Sequence, residues 1–162
     1  MSGESGKERP LTGEAQEEAL ALLESSHEAA FGTLEGTTPF LSSVGYLYQR
    51  PRPASVGFRA VYLLLSDLAR HTRNAKAHSS VSLLIMEKNS DLPVHEKKRV
   101  SLQGDLTAVE GPAEFAALKD RYLECFPRAQ IFFTLRDFRF YKVSIREIHW
   151  IGGFGKAAAW RV

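Results

Sequence analysis

Val100-Ser101-Leu102-Gln103-Gly104-Asp105-Leu106-Thr107-Ala108 places Val100, Leu102, Gly104, Leu106 and Ala108 on one face and polar residues on the other. A period of two held over that length predicts a strand with one buried side. Upstream, the charged stretch Glu87–Lys98, interrupted by Pro93, reads as a loop, and Val81–Met86 as a buried strand. Downstream, Gly111-Pro112 opens a helix with proline at its first position. Phe115, Leu118, Tyr122 and Phe126 fall on one face of that helix, and Pro127 marks its end. Phe138–Ile148 is a long final strand. Its apolar positions change parity between Phe140 and Tyr141, which predicts a bulge there.

Working back toward the N-terminus, Ala60–Leu65 is a nearly continuous apolar run, which predicts burial on both faces. Ser66–His78 is a polar turn leading into a short helix that begins near Thr72, with Ser66 or Thr72 as its cap. Gln49–Arg59, with Pro51, Pro53 and Gly57, is an enlarged hairpin connection. Phe40–Leu47 and Glu28–Leu34 are strands joined by the turn Gly36-Thr37-Thr38-Pro39. A first helix starts at Thr12 as N-cap, with Glu14 in its first turn and Ala19, Leu20, Leu22 and Leu23 as its apolar stripe. Residues 1–11 are polar and aperiodic, which predicts a disordered tail before a single domain over 12–162. Strands are numerous, connections short and crossover helices few. The expected fold is mainly β with peripheral helices (α+β): a small antiparallel barrel.

Composition narrows the function. The chain has 162 residues, 44% of them hydrophobic and 25% charged, which suits one globular domain. Its 21 basic and 19 acidic residues leave a net charge of only +2, which argues against a nucleic-acid partner. A single cysteine, Cys125, permits no internal disulfide and fits a reducing cytoplasm. No apolar run approaches the ~20 residues of a membrane helix, and the first residues carry no apolar leader, so neither membrane nor secretion is expected.

Few residues offer chemistry. The five histidines lack zinc-motif spacing; His71 and His78 on one helix would stand about 10 Å apart along its axis, too far to share a metal. There is no G-x-S-x-G elbow, and Cys125 sits among Leu123, Glu124 and Phe126, where a thiol packs rather than attacks. The densest signal is Ser66–Lys76, where Ser66, Arg70, His71, Thr72, Arg73, Asn74 and Lys76 gather as a strand hands over to a helix. Hydroxyls, cations and free helix amides there suit a phosphate; a solvated basic helix is the alternative. Ser42 and Ser43 interrupt an apolar strand, either to hydrogen-bond across strands or to edge a flat polar ligand. Ile151-Gly152-Gly153-Phe154-Gly155-Lys156-Ala157 reads as a close backbone approach or as a flexible exit to the tail.

Pro39-Phe40-Leu41-Ser42-Ser43-Val44-Gly45-Tyr46, Leu64-Leu65-Ser66-Asp67-Leu68-Ala69-Arg70-His71-Thr72-Arg73-Asn74 and Val81-Ser82-Leu83-Leu84 together resemble the pyridoxamine 5′-phosphate oxidase-like FMN-binding split barrels. Within them the chain is most similar to the HugZ-like, haem-utilisation branch. Arg99-Val100-Ser101-Leu102-Gln103-Gly104, Asp137-Phe138 and the terminal glycine-rich stretch extend the likeness over about residues 15–157. The resemblance implies a six-stranded antiparallel split β-barrel that dimerises, with FMN between the subunits. It implies that Ser42, Ser43 and Val44 lie along the flavin, that Ser66 and Leu68 line the ribityl chain, and that His71, Thr72, Arg73 and Asn74 surround the phosphate, with Arg99 nearby. The expected activity is an FMN-dependent oxidoreductase acting with a small-molecule substrate or electron donor. Haem binding or degradation on the same barrel, and a non-enzymatic flavin carrier, are the alternatives. The chain departs from the family in its long Gln49–Arg59 loop and in Gly45, which stands where proline is common. It also lacks the arginine-and-histidine signature of vitamin B6 oxidases, and no histidine follows His149 to meet a haem iron.

Overall fold

The computed structural model describes residues 13–50, 59–88, 91–153 and 155–162. In chain order these form α1 (Gly13–Ser25), β1 (Glu28–Glu35), β2 (Thr38–Tyr48), β3 (Ala60–Ser66), α2 (Arg70–Ala77), β4 (Ser80–Met86), β5 (Arg99–Ala108), α3 (Pro112–Cys125), a 3₁₀ helix (Pro127–Thr134), β6 (Phe138–Ile151) and β7 (Ala157–Arg161). The sheet runs β3-β2-β1-β4-β5-β6-β7, every pairing antiparallel, and β3 also pairs with β6. That last pairing closes six strands into the expected barrel and leaves β7 as an added flap on β6. The expected cap Thr12, residues 51–58 of the long hairpin and Phe154 lie outside the described residues.

Inside the barrel, Phe31, Tyr46, Val61, Leu63, Leu83, Ile85, Val100, Leu102, Ile148 and Trp150 are all but inaccessible to solvent. Each such large side chain contributes ~1.5–3 kcal/mol on burial. Helix α1 packs Ala19, Leu20, Leu22 and Leu23 into this core, and Tyr46 donates its hydroxyl to the Leu23 carbonyl at 3.0 Å. Helix α2 packs chiefly against β1 and adds Ala75 to the same core. A second cluster lies outside the wall, where α3 and the 3₁₀ helix cover Leu47, Leu64 and Phe140 with Leu118, Tyr122 and Ala129.

Four expectations change. The parity shift at Phe140 and Tyr141 is not a bulge, because β3 pairs through it without interruption, Leu64 with Phe140 and Leu63 with Tyr141. Both residues are buried because the wall has a core on each side there: Phe140 faces the helices and Tyr141 the barrel. The bulge sits at Arg146, where Gln103 pairs with Glu147 but Gly104 with Ile145. Beyond it the inward positions switch from Tyr141, Val143 and Ile145 to Ile148 and Trp150, as one extra residue requires. A Cβ on Gly104 would lie 2.2 Å from the Ser144 carbonyl oxygen, so only glycine fits beside the bulge.

The terminal glycine stretch is a turn into a seventh strand rather than an exit: Gly153 and Gly155 take φ of 113° and 76°, and β7 then pairs with Glu147–Ile151. Helix α2 begins at Arg70 with Ala69 as its N-cap, two residues before Thr72. Finally, Val81–Met86 is buried on one face only. Ser82 is exposed, with no helix over that side among the described residues.

Candidate functional site

The ladder between β2 and β3 is short. Tyr46, Leu47 and Tyr48 pair with Leu63, Tyr62 and Val61. Beyond them Thr38–Gly45 keeps β1 on one side and, among the described residues, no strand on the other. The wall therefore splits. Ser42, Ser43 and Val44 lie on one lip, and Ser66, paired with Phe138 of β6, lies on the other. Helix α2 follows directly from the second lip and touches the first, where the Arg70 guanidinium stands 4.7 Å from the centre of the Phe40 ring.

The turn between β3 and α2 is tightly held. The Ser66 hydroxyl donates to the Asp137 carboxylate and accepts the Leu68 N–H at 3.1 Å. The Asp67 N–H donates to the Asp137 carbonyl at 2.7 Å. The Asp67 carboxylate accepts from Lys76 Nζ at 2.9 Å, Arg139 Nε at 2.8 Å and the Tyr141 hydroxyl. Burial pushes the Asp67 carboxyl up, but those three donors outweigh it and hold the group below its ordinary value. Arg70 pairs with Glu35, and Arg73 donates to the Leu68 carbonyl.

At the α2 N-terminus Ala69 supplies no side-chain cap. The amides of the first turn thus keep the unmet donor capacity of any helix start, beside the exposed cations Arg70 and Arg73. This arrangement can hold an anion.

The candidate residues separate into groups. Ser66, Leu68 and Arg73 stand together at the rim of the split, with the Leu68 side chain 71% exposed. Ser43 is exposed on the facing lip, whereas the Ser42 hydroxyl is buried without a partner and Val44 packs into the barrel core. Thr72 is fully buried, and its hydroxyl has no partner. Asn74 donates to Thr33 Oγ1 at 3.3 Å, and His71 meets the Phe31 ring edge-on at 5.7 Å, where burial lowers its pKa. These three line the inner side of α2, away from the rim. Arg99 stands apart at the start of β5, donating to the Val94 and Lys97 carbonyls at 3.2 and 3.3 Å.

In the sequence the aromatic-rich stretch Ile131-Phe132-Phe133 has more apolar surface than one small barrel needs and points to dimerisation; sequence reasoning gave no site role to Asp67, Asp137, Arg139 or the pairing of Phe132 with Phe138. Asp67 directly follows a hydroxyl at the end of an apolar run, which was the available signal. Its partners Arg139 and Tyr141 come from β6, too distant in sequence for local pattern to reveal.

A second outer region is bare. On β2, β1, β4, β5 and β6 the residues Ser43, Ala30, Leu84, Ser101 and His149 form one cross-strand row, with no helix over it among the described residues. Leu41 is 72% exposed there, beside a groove of about 320 Å³ that includes Gly32, Leu34, Ser82 and Gln103. His149 Nε2 lies 2.7 Å from Glu147 Oε1 on this face. Among the described residues no helix is long and apolar enough to cross a membrane.

The sequence matches the family model of the CREG β-barrel over residues 12–160. No curated protein matches it. Among solved structures it is similar to a haem-binding protein from Mycobacterium smegmatis, at 26% identity and a TM-score of 0.79 over 94% of this chain and 59% of that one. The chain thus spans less than two thirds of that protein's length. It also shares its fold with a pyridoxinephosphate oxidase family protein from Clostridium acetobutylicum, at 15% identity and a TM-score of 0.70, covering 94% and 97% of the two chains. An FAD-binding protein from Mesorhizobium loti has the same fold at 12% identity and a TM-score of 0.64, covering 86% and 94%.

Proposed function

Because the chain belongs to the CREG β-barrel family, we propose that it binds FMN along the split of its barrel and acts as a flavin-dependent oxidoreductase, as a homodimer joined through the bare outer face. The observation that carries the reading is the uncapped start of α2, flanked by Arg70 and Arg73, at the rim of the split. A dianionic phosphate suits that charge and those amides. Solved relatives of the same fold include an FAD-binding protein and a pyridoxinephosphate oxidase family protein. Bound FMN would supply the hydride and electron chemistry. The chain's own part is to hold the phosphate with the α2 amides and Arg73, to keep the turn fixed through Asp67 and Asp137, and to lay Ser43 along one lip. Thr72 serves through its backbone N–H, since its hydroxyl points inward.

Calorimetric titration with FMN and with riboflavin tests the phosphate site. FMN is expected to bind roughly a hundredfold tighter, the yield of two charge-assisted hydrogen bonds at ~1.5 kcal/mol each. Arg73→Ala should weaken FMN about tenfold and leave riboflavin unchanged. Thr72→Val should alter neither affinity. Equal affinity for FMN and riboflavin in the unaltered protein would sink the phosphate reading.

The likeness to a haem-binding protein supports a second reading, haem on the bare outer face of the same barrel. His149, half-exposed and oriented by Glu147, is then the imidazole that would meet the iron. A Soret band on adding hemin, lost in His149→Ala, would favour it over flavin.

A further inference from the structure

We propose that Phe132 is the stacking face for the isoalloxazine ring, so that ring and phosphate are recognised by separate parts of the site. This inference rests on the flavin reading above. Ser66 on the second lip pairs directly with Phe138, and both point to the outer side of the wall, as Leu64 and Phe140 do one step further along. Phe132 of the 3₁₀ helix lies flat on Phe138, with ring centres 4.7 Å apart and planes 13° from parallel. Phe132 nonetheless remains 38% exposed, with Ile131 at 59% and Leu135 at 44% beside it. The neighbouring aromatics behave differently. Phe133 turns inward and meets Phe115, Tyr122 and Phe140.

Three exposed large apolar side chains, Ile131, Phe132 and Leu135, fall within five positions of the chain, and contiguous exposed apolar surface marks binding sites. Here they adjoin the turn that carries the proposed phosphate site, since the Asp67–Asp137 backbone bond ties Leu68 and the start of β6 together. An apolar shelf joined to an anion site matches one ligand chemistry, a flat aromatic ring linked to a phosphate. Arg128 and Arg136, which flank the shelf in the chain, are exposed and have no ion-pair partner among the described residues, a charge that suits an anionic ligand better than a second copy of like charge. An open aromatic face gives sequence-tolerant stacking to a planar ring and is polarised toward its edges.

The test uses the full chain with FMN and riboflavin, reading affinity and flavin emission, which a stacked aromatic ring quenches. Phe132→Leu keeps the apolar volume and removes the π face. It should weaken FMN and riboflavin by the same factor, about tenfold, and brighten the bound flavin. Phe132→Trp should restore both affinity and quenching. Arg73→Ala, in contrast, should affect FMN alone. Unchanged affinity and emission in Phe132→Leu, or a loss confined to FMN, would overturn this inference and leave the flavin reading standing. Failure of the unaltered protein to bind either flavin would overturn both.

Discussion

The barrel has two outer regions built on the same inner wall, and they differ in side-chain size. Under α3 and the 3₁₀ helix the wall presents Leu47, Leu64 and Phe140, and all three are buried. On the other side it presents mostly small residues, Ala30, Gly32, Ser43, Ser82 and Ser101, beside Leu84 and His149, with Leu41 left in solvent. Large outward side chains need a cover from the same chain, or their burial energy is forfeited. Small ones let another surface approach closely. The contrast teaches that half of this barrel's exterior is finished within the chain and half is suited to a flat partner, for which a second copy is our proposal.

The contrast is broken most sharply on the covered side. Phe140→Ala removes the ring at the centre of the outer cluster and should cost about 3–5 kcal/mol of stability, seen as a lower urea midpoint at unchanged slope. Leu41→Lys on the bare side should shift stability by less than ~0.5 kcal/mol. Its effect belongs to assembly: the unaltered chain should sediment at twice its 18.1 kDa mass and the variant at that mass itself. A monomeric parent would remove the second copy from the account.

The smallest effect sharpens the region between the two. Burial lowers the His71 pKa, so the unfolded chain takes up a proton before the folded one does. Stability contributed by neutral His71 is therefore full above the unfolded value of ~6.5 and declines as pH falls below it. Melting temperatures from pH 8 to pH 5 should drop less in His71→Leu than in the parent, and parallel curves would refute the assignment.

Six strands were legible because each has at least one apolar face. β7 was not. Ala157-Ala158-Ala159-Trp160-Arg161 has small residues on both faces, so it shows no alternation, and it is placed by its backbone ladder to β6. The bulge was misplaced for a related reason. Apolar identity at Phe140 and Tyr141 cannot distinguish an extra residue from a wall with cores on both sides, and only the pairing partner can. Ser66–Asn74 was legible as a cluster because its members are adjacent in the chain. Which of them turn inward was not, since Thr72 and Asn74 are as polar as Arg73. The Asp67 network was hidden by distance, with partners 9, 72 and 74 residues away.

The split in the wall has a cost in handling. Along Thr38–Gly45 every second peptide group points away from β1 toward no strand among the described residues. Such an edge is adhesive, because it accepts any extended segment of like register from another molecule. A cofactor held in the split, as proposed above, would also guard that backbone. Protein produced with the gap filled should remain dispersed on concentration, while the empty form joins edge to edge.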